Sequence, residues 1–153
     1  MQVKVLMVCL GNICRSPLAE GILKQKISHL DIFVDSAGTS NYHIGEPPDI
    51  RSVQIAKTYG IDITSQRGRQ FKVSDFDEFD LIFSMDKSNY NDILSLARNE
   101  GDKNKVELIL NLLNPGENMD VPDPYYGGGN GFEKVYKMLN EACDILVDRL
   151  ARN

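Results

Sequence analysis

A cysteine and an arginine, Cys9 and Arg15, stand six positions apart in a stretch that follows an apolar run and opens a helical pattern. Short loops that close on a helix N-terminus aim several backbone N–H groups at one point, and the helix dipole adds partial positive charge there. Such a hollow suits a tetrahedral dianion. The planar guanidinium of Arg15 can bind two of the oxygens side by side. The spacing therefore predicts a phosphate-binding loop with Cys9 at its floor.

Cys9 is also a candidate nucleophile. The loop amides, the helix dipole and Arg15 all favour the ionised form of a thiol at this point. Ser16 can donate its hydroxyl to the sulfur, which stabilises the thiolate and later helps it to depart. The loop pattern taken alone is also consistent with a structural role, in which a buried cysteine at the end of the strand lies beside a structural arginine. The predicted phosphate-binding residues are Leu10, Gly11, Asn12, Ile13, Cys14, Arg15 and Ser16.

If Cys9 attacks the phosphorus of a bound phosphate ester, the departing oxygen needs a proton, and Asp123 is the candidate acid that supplies it. A tyrosyl leaving group has a pKa of about 10, so its departure needs a proton donor. Asp123 lies between Pro122 and Pro124, which hold it on a stiff stalk, and a bound phosphate nearby favours its protonated form. An aspartate between prolines often does no more than shape a turn. Only together with the Cys9 loop does Asp123 become a candidate general acid.

Composition limits the class of protein. A chain of 153 residues with 42% hydrophobic and 25% charged residues fits one globular domain spanning residues 1–153. Its net charge of -5 argues against partners such as nucleic acid or an anionic membrane surface. Residues 1–8 are too short for a signal peptide or a membrane span, so we expect a cytoplasmic protein. Three cysteines and two histidines favour neither a disulfide framework nor a zinc site, and we expect no metal or cofactor.

Hydrophobic patterning predicts an α/β fold: three α/β/α layers around a central four-stranded parallel sheet, with the phosphate-binding loop after strand 1. The C-terminal ends of strands 1, 2 and 3 bring the Cys9 loop, Ser36 and Asp86 to one edge of that sheet. Residues 61–72 are expected to cross the surface, and Cys143 to lie in the core. The predicted strands are 2–8, 32–37, 81–85 and 106–109, and the predicted helical segments are 16–29, 50–59, 74–79, 86–97 and 131–152.

Taken together, these motifs resemble the low-molecular-weight protein tyrosine phosphatases. The resemblance covers nearly the whole chain, in order, and it rests on residues 9–17, 35–39, 43, 47–49, 84–86 and 123–126. It implies hydrolysis of phosphotyrosine in proteins through a phosphocysteine on Cys9. Arg15 would bind the phosphate and the transition state, and Asp123 would act first as the acid and then as the base. Inorganic phosphate and similar oxyanions would compete with the substrate.

The same resemblance implies supporting roles around the loop. Asn12 would hold the loop in a strained shape through hydrogen bonds that include Ser36, and Asn tolerates a left-handed backbone. Cys14 would form a reversible disulfide with Cys9, which protects the nucleophile from overoxidation. His43 and Asp86 would be structural hydrogen-bond partners. The implied walls of the substrate cleft are Ile13, Tyr42, Tyr125 and Tyr126.

Three alternatives share parts of this pattern. Arsenate reductase uses a similar loop but needs a late cysteine pair, whereas residues 80–100 contain no cysteine. Protein arginine phosphatase shares the loop but resembles a form of it that has threonine at the position of Ile13. A noncatalytic phosphate-binding or redox-sensing module would be expected to lack Cys9, Arg15 or Asp123, and this chain has all three.

Overall fold

Four parallel strands in the order β2-β1-β3-β4 form the centre of the computed structural model, which describes residues 2–124 and 130–152. The Val8 position of β1 pairs with Ala37 on one side and with Ser84 on the other, so the C-terminal ends of three strands lie level. This arrangement confirms the predicted α/β class. The strands are β1 (Val3–Cys9), β2 (Ile32–Gly38), β3 (Leu81–Ser84) and β4 (Val106–Leu108).

Helices cover both faces of the sheet. Val5 and Met7 point to one core, formed with α1, α2 and α6, while Leu6 and Val8 point to a second core, formed with α3 and α4. A strand buried on both faces explains the continuous apolar run of β1. Cys143 lies in the first core with no exposed surface, as predicted. The helices are α1 (Arg15–Lys26), α2 (Ile50–Thr58), α3 (Asp75–Glu78), α4 (Lys87–Leu94), α5 (Glu100–Asn104), a 3₁₀ helix (Ile109–Leu112) and α6 (Gly131–Ala151).

Two parts of the chain differ from the sequence-based expectation. Residues 61–72 do not simply cross the surface, because Ile63 and Phe71 are buried and Gln70 forms a parallel bridge with Gly38. Helix α5 was not predicted at all. It begins at the cap residue Asn99, whose side chain accepts a hydrogen bond from the backbone N–H of Asp102. Both errors arise in short segments whose structure comes from tertiary contacts rather than from a periodic pattern.

Strand order places the Cys9 loop at a topological switch point. From β1 the chain crosses to β2 on one side and later to β3 on the other. Crevices at the carboxyl ends of strands beside such a point are the usual ligand sites of open parallel sheets. In residues 2–124 and 130–152, no helix combines the length and the apolar sequence needed to cross a bilayer.

Candidate active site

The loop between β1 and α1 forms the floor of a pocket of about 210 Å³. Cys9 ends the strand and Arg15 begins the helix, so both ends of the loop belong to rigid elements. Asp123, which is more than 100 positions away in sequence, reaches the same pocket. The structure therefore brings the candidate nucleophile, phosphate binder and acid together. The lining residues are Cys9, Leu10, Gly11, Ile13, Cys14, Arg15, His43 and Asp123.

The sulfur of Cys9 is buried, with 3% of the residue exposed, and it faces hydrogen-bond donors. Its Sγ lies 3.0 Å from Ser16 Oγ and accepts a hydrogen bond from the backbone N–H of Asn12 at 3.3 Å. Both groups can stabilise negative charge on the sulfur. The neighbourhood is therefore suited to a thiolate.

Asn12 is the central support of the loop. Its backbone lies in the left-handed region, with φ of 57°. Its Nδ2 donates to Ser16 Oγ at 2.8 Å and to Ser36 Oγ at 3.0 Å, and its Oδ1 accepts from the backbone N–H of Arg69 at 3.0 Å. Since a backbone N–H can only donate, the Asn12 amide has one orientation. Ser16 then accepts from Asn12, and its own hydroxyl hydrogen has two acceptors in reach, Cys9 Sγ at 3.0 Å and the Ala37 carbonyl at 3.4 Å, of which the sulfur is the nearer.

A buried carboxylate completes this network. Ser36 Oγ donates to Glu20 Oε1 at 2.5 Å, and Lys24 Nζ pairs with the other oxygen of Glu20 at 2.5 Å. Burial raises the pKa of Glu20, and the hydrogen bonds from Lys24 and Ser36 oppose that rise. Sequence reasoning missed both Glu20 and Arg69. A signal for Glu20 was present, because it is a carboxylate one helical turn beyond Ser16 among buried apolar residues of α1.

Arg15 is held from behind by two protein groups. Its Nη1 donates to Asp86 Oδ2 at 2.7 Å and to the carbonyl of Val121 at 2.9 Å, and only 4% of the residue is exposed. Burial lowers the pKa of Arg15, but the neighbouring Cys9, Asp86 and Asp123 outweigh burial and raise it. The guanidinium is therefore charged. Its Nε–H and Nη2–H donors are not used in these two bonds and suit a bound oxyanion.

Asp86 also connects this anchor to α4. It is the N-cap of that helix, and its Oδ1 accepts from the backbone N–H of Asn89 at 2.8 Å. One carboxylate thus holds the helix start with one oxygen and Arg15 with the other. The supporting role that the family resemblance implies for Asp86 stays a prediction.

Of the residues predicted for the cleft walls, Ile13 lines the pocket. His43, which was predicted as a structural hydrogen-bond partner, lines it too, and its Nδ1 lies 3.0 Å from Glu46 Oε2. Tyr42 is 75% exposed and is not among the pocket-lining residues in the described part of the chain. Tyr125 and Tyr126 lie outside the described residues. The cleft roles of these tyrosines stay predictions.

Cys14 differs from Cys9 in its electrostatic surroundings. Burial, followed by the negative charges of Asp49, Cys9 and Asp123, raises its pKa to about 12. Since the thiolate is the reactive form, Cys14 is a neutral and slow thiol at pH 7. Its predicted disulfide with Cys9 therefore needs Cys9 to be oxidised first.

We expect iodoacetamide at pH 7 to modify Cys9 well before Cys14, with inorganic phosphate protecting Cys9. Modification of Cys14 should accelerate as the pH rises toward about 12, because its thiolate fraction grows over that range. Peptide mass spectrometry over a time course measures both rates. Equal modification of the two cysteines at pH 7 would contradict this prediction.

The sheet and its loop define one class of α/β protein, in which an anion-binding loop joins a central strand to the following helix. The model of the family "Low molecular weight phosphotyrosine protein phosphatase" matches residues 4–153. A Synechocystis protein named as a low molecular weight protein-tyrosine-phosphatase is 44% identical over an alignment of 153 positions that covers 97% of each chain.

Two solved structures show the same fold. A protein tyrosine phosphatase from Entamoeba histolytica, with Hepes in its active site, has a TM-score of 0.90 at 40% identity and covers 98% of this chain and 97% of its own. A Drosophila arginine phosphatase has a TM-score of 0.88 at 34% identity, covering 97% and 98%. The chain belongs to the low molecular weight phosphotyrosine protein phosphatase family, which confirms the resemblance read from its motifs, and it is a phosphatase.

Proposed function

We propose that this enzyme hydrolyses phosphotyrosine in proteins through a phosphocysteine intermediate. Cys9 would be the nucleophile, Arg15 the ligand of the phosphate and of the transition state, and Asp123 the general acid and base. The main support is that these three residues line one pocket, with the sulfur facing hydrogen-bond donors at its floor.

Binding places the phosphoryl group over the sulfur. The loop amides and the N-terminus of α1 attract the dianion, and Arg15 offers donors that its bonds to Asp86 and Val121 leave unused. Because Asp86 fixes the guanidinium before the substrate arrives, little reorganisation is needed during the reaction. Inorganic phosphate should occupy the same loop and compete with the substrate.

In the first chemical step, the electron pair of Cys9 Sγ forms a bond to phosphorus. The bond between phosphorus and the tyrosyl oxygen breaks, and that oxygen takes the proton of the Asp123 carboxyl group. Arg15 and the loop amides stabilise the charge on the equatorial oxygens. The products of this step are a phosphocysteine, a neutral tyrosine and an ionised Asp123.

In the second step, ionised Asp123 accepts a proton from a water molecule whose oxygen attacks phosphorus. The bond between sulfur and phosphorus breaks, and the electron pair returns to Cys9 Sγ. Ser16 Oγ at 3.0 Å and the Asn12 N–H at 3.3 Å stabilise the departing thiolate. Inorganic phosphate then leaves, and Asp123 again carries its proton.

Ile13 favours an aromatic substrate. It lines the pocket as a branched apolar side chain, which can contact the face of a phenyl ring but offers no acceptor to a guanidinium. The similarity to an arginine phosphatase makes phosphoarginine the appropriate competing substrate. The arsenate reductase alternative needs further reactive cysteines, and Cys143 is fully buried in the core.

A peptide panel tests this assignment. One sequence is made with phosphotyrosine, phosphoserine and phosphoarginine, and phosphate release is measured for each. We expect the highest kcat/KM for phosphotyrosine, since the ring brings the phosphorus down to Cys9. A higher kcat/KM for phosphoarginine would support the arginine phosphatase alternative instead. If no peptide released phosphate, a noncatalytic module would be favoured.

Asp86→Asn tests the Arg15 anchor. The amide is isosteric and can still accept from Asn89, but it no longer offers a charge to Arg15. We expect kcat/KM to fall about tenfold, which corresponds to about 1.4 kcal/mol, and phosphate to bind more weakly. Asp144→Asn is the control, because Asp144 pairs with Lys26 at the surface. Equal kinetics for both variants would contradict the anchoring role.

A further inference from the structure

One short segment, residues 66–71, bonds to three of the elements that surround the pocket. This 66–71 segment forms hydrogen bonds to the start of α1, to the loop before α2 and to the phosphate-binding loop. The bonds run from Gln66 Nε2 to the Pro17 carbonyl (3.0 Å), from Gly68 N–H to the Glu46 carbonyl (2.8 Å), from Gly45 N–H to the Gly68 carbonyl (2.8 Å) and from Arg69 N–H to Asn12 Oδ1 (3.0 Å).

The backbone packs closely at two glycines beside this segment and the pocket. A Cβ at Gly68 would lie 2.3 Å from the carbonyl oxygen of His43, and a Cβ at Gly38 would lie 2.7 Å from that of Leu10. Gly38 is also bonded on both sides, since its N–H donates to the Arg69 carbonyl and its own carbonyl accepts from Phe71. The backbone of Arg69 is therefore bonded to Gly38, which packs against the carbonyl of the pocket residue Leu10.

Ion pairs fix the segment at Arg69. Its Nη1 and Nη2 donate to the two oxygens of Asp75 at 3.0 and 3.2 Å, and its Nε donates to Asp35 Oδ2 at 3.1 Å. Asp75 is 2% exposed and also accepts from the backbone N–H of Lys72. Burial lowers the pKa of Arg69, but the two carboxylates outweigh burial and raise it. A bidentate, charged pair of this kind is rigid.

We propose that Arg69 is a positioning residue of the phosphate-binding loop. Its ion pairs with Asp75 and Asp35 hold its own backbone N–H against Asn12 Oδ1. That bond orients the Asn12 amide, so that Nδ2 faces Ser16 and the Ser16 hydroxyl is directed to Cys9. This proposal rests on the function proposed for the Cys9 loop. It assigns to Arg69 the orientation of the hydrogen bonds that run from Asn12 to Ser16 and Cys9.

A second cluster in the chain provides a matched control for a purely structural role. Arg98 also pairs with one buried and one exposed carboxylate, at 2.9 Å to Asp102 and 2.7 Å to Asp77. Asp102 also accepts from a backbone N–H, that of Arg98, as Asp75 does from Lys72. This cluster joins α5 to α3 and includes none of the pocket-lining residues.

The experiment compares Arg69→Met with Arg98→Met in the full chain. It measures Tm, the dissociation constant of inorganic phosphate by calorimetry, and kcat and KM for the phosphotyrosine peptide. We expect both variants to lower Tm, and only Arg69→Met to weaken phosphate binding and to reduce kcat about tenfold. Unchanged phosphate affinity and kcat in Arg69→Met, beside a lowered Tm, would overturn the proposal.

A double-mutant cycle tests whether Arg69 acts through Asn12. In the Asn12→Ala background the acceptor of the Arg69 N–H is absent, so Arg69→Met should change kcat by less than about twofold. Full additivity of the two substitutions would overturn the proposal. If Arg69→Met does not fold, Arg69→Lys takes its place, because lysine retains the charge and loses the bidentate geometry.

Phosphate affinity separates the two hypotheses. A wild type that binds phosphate and hydrolyses none of the peptides would refute the proposed function alone. In that case the effect of Arg69→Met on phosphate affinity would still test the positioning role. A wild type that hydrolyses phosphotyrosine, with phosphate affinity and kcat insensitive to Arg69→Met, would refute the positioning role alone.

Discussion

Replacing Cys9 by serine is expected to reduce phosphotyrosine hydrolysis by about 10⁴-fold or more, as losses of catalytic nucleophiles typically do. A serine hydroxyl is not ionised near pH 7. The described neighbours of the Cys9 sulfur, Ser16 Oγ and the Asn12 N–H, stabilise an anion and do not serve as a base that removes a proton. Serine therefore fits the site without being activated by it. Phosphate release from the phosphotyrosine peptide measures the loss.

Cys143→Ala is the matched control for Cys9→Ser. Cys143 is likewise a buried thiol, but it belongs to α6 and to the core, and burial raises its pKa to about 12. This variant should keep its kcat and lose stability, since a small cavity replaces the sulfur. Calorimetry should show phosphate still bound by Cys9→Ser. Substantial hydrolysis by Cys9→Ser would mean that another group attacks phosphorus.

Asp123→Asn should slow hydrolysis most for substrates whose leaving group has a high pKa. A poor leaving group such as tyrosine needs the proton of Asp123, so we expect a loss of about 10²- to 10⁴-fold. A substrate with an acidic phenol, such as p-nitrophenyl phosphate, leaves without that proton and should lose far less in its first step. A series of aryl phosphates with graded phenol pKa values, followed by single-turnover kinetics, measures this dependence.

Asp120→Asn provides the control from the same loop. Asp120 accepts hydrogen bonds from the backbone N–H and the Nζ of Lys87, at 2.9 and 3.0 Å, and does not line the pocket. It is the same residue type as Asp123, three positions earlier in the chain. Its variant should show no new dependence on the leaving group. An equal dependence in both variants, or none in Asp123→Asn, would count against Asp123 as the acid.

The fold and the centre of the site could be predicted because their signals are local. An apolar strand, a short loop and a helix start place Cys9, Arg15 and Ser16 within eight positions. Three distant residues were also singled out. Ser36 and Asp86 follow from their positions at the ends of strands 2 and 3, and Asp123 from its two flanking prolines and the resemblance to the family.

Arg69, which supports the site from behind, could not be predicted in the same way. Arg69 reaches Asn12 through a backbone N–H, which every residue except proline carries, so its sequence holds no sign of the contact. Residues 61–72 were expected at the surface because the stretch is polar and mixed and contains Arg67 and Arg69. Ile61, Ile63 and Phe71 within it are nevertheless buried. Their burial depends on neighbours that only the assembled fold provides.

The most direct measurement is a rapid-quench experiment on Asp123→Asn with p-nitrophenyl phosphate. This substrate phosphorylates the enzyme without an acid, while the loss of the base slows hydrolysis of the intermediate, which therefore accumulates. Peptide mass spectrometry should then find one phosphoryl group on Cys9, and none when Cys9 is also replaced by serine. A phosphoryl group on a different residue, or product formation with no phosphorylated enzyme at any time, would contradict catalysis by the Cys9 thiolate.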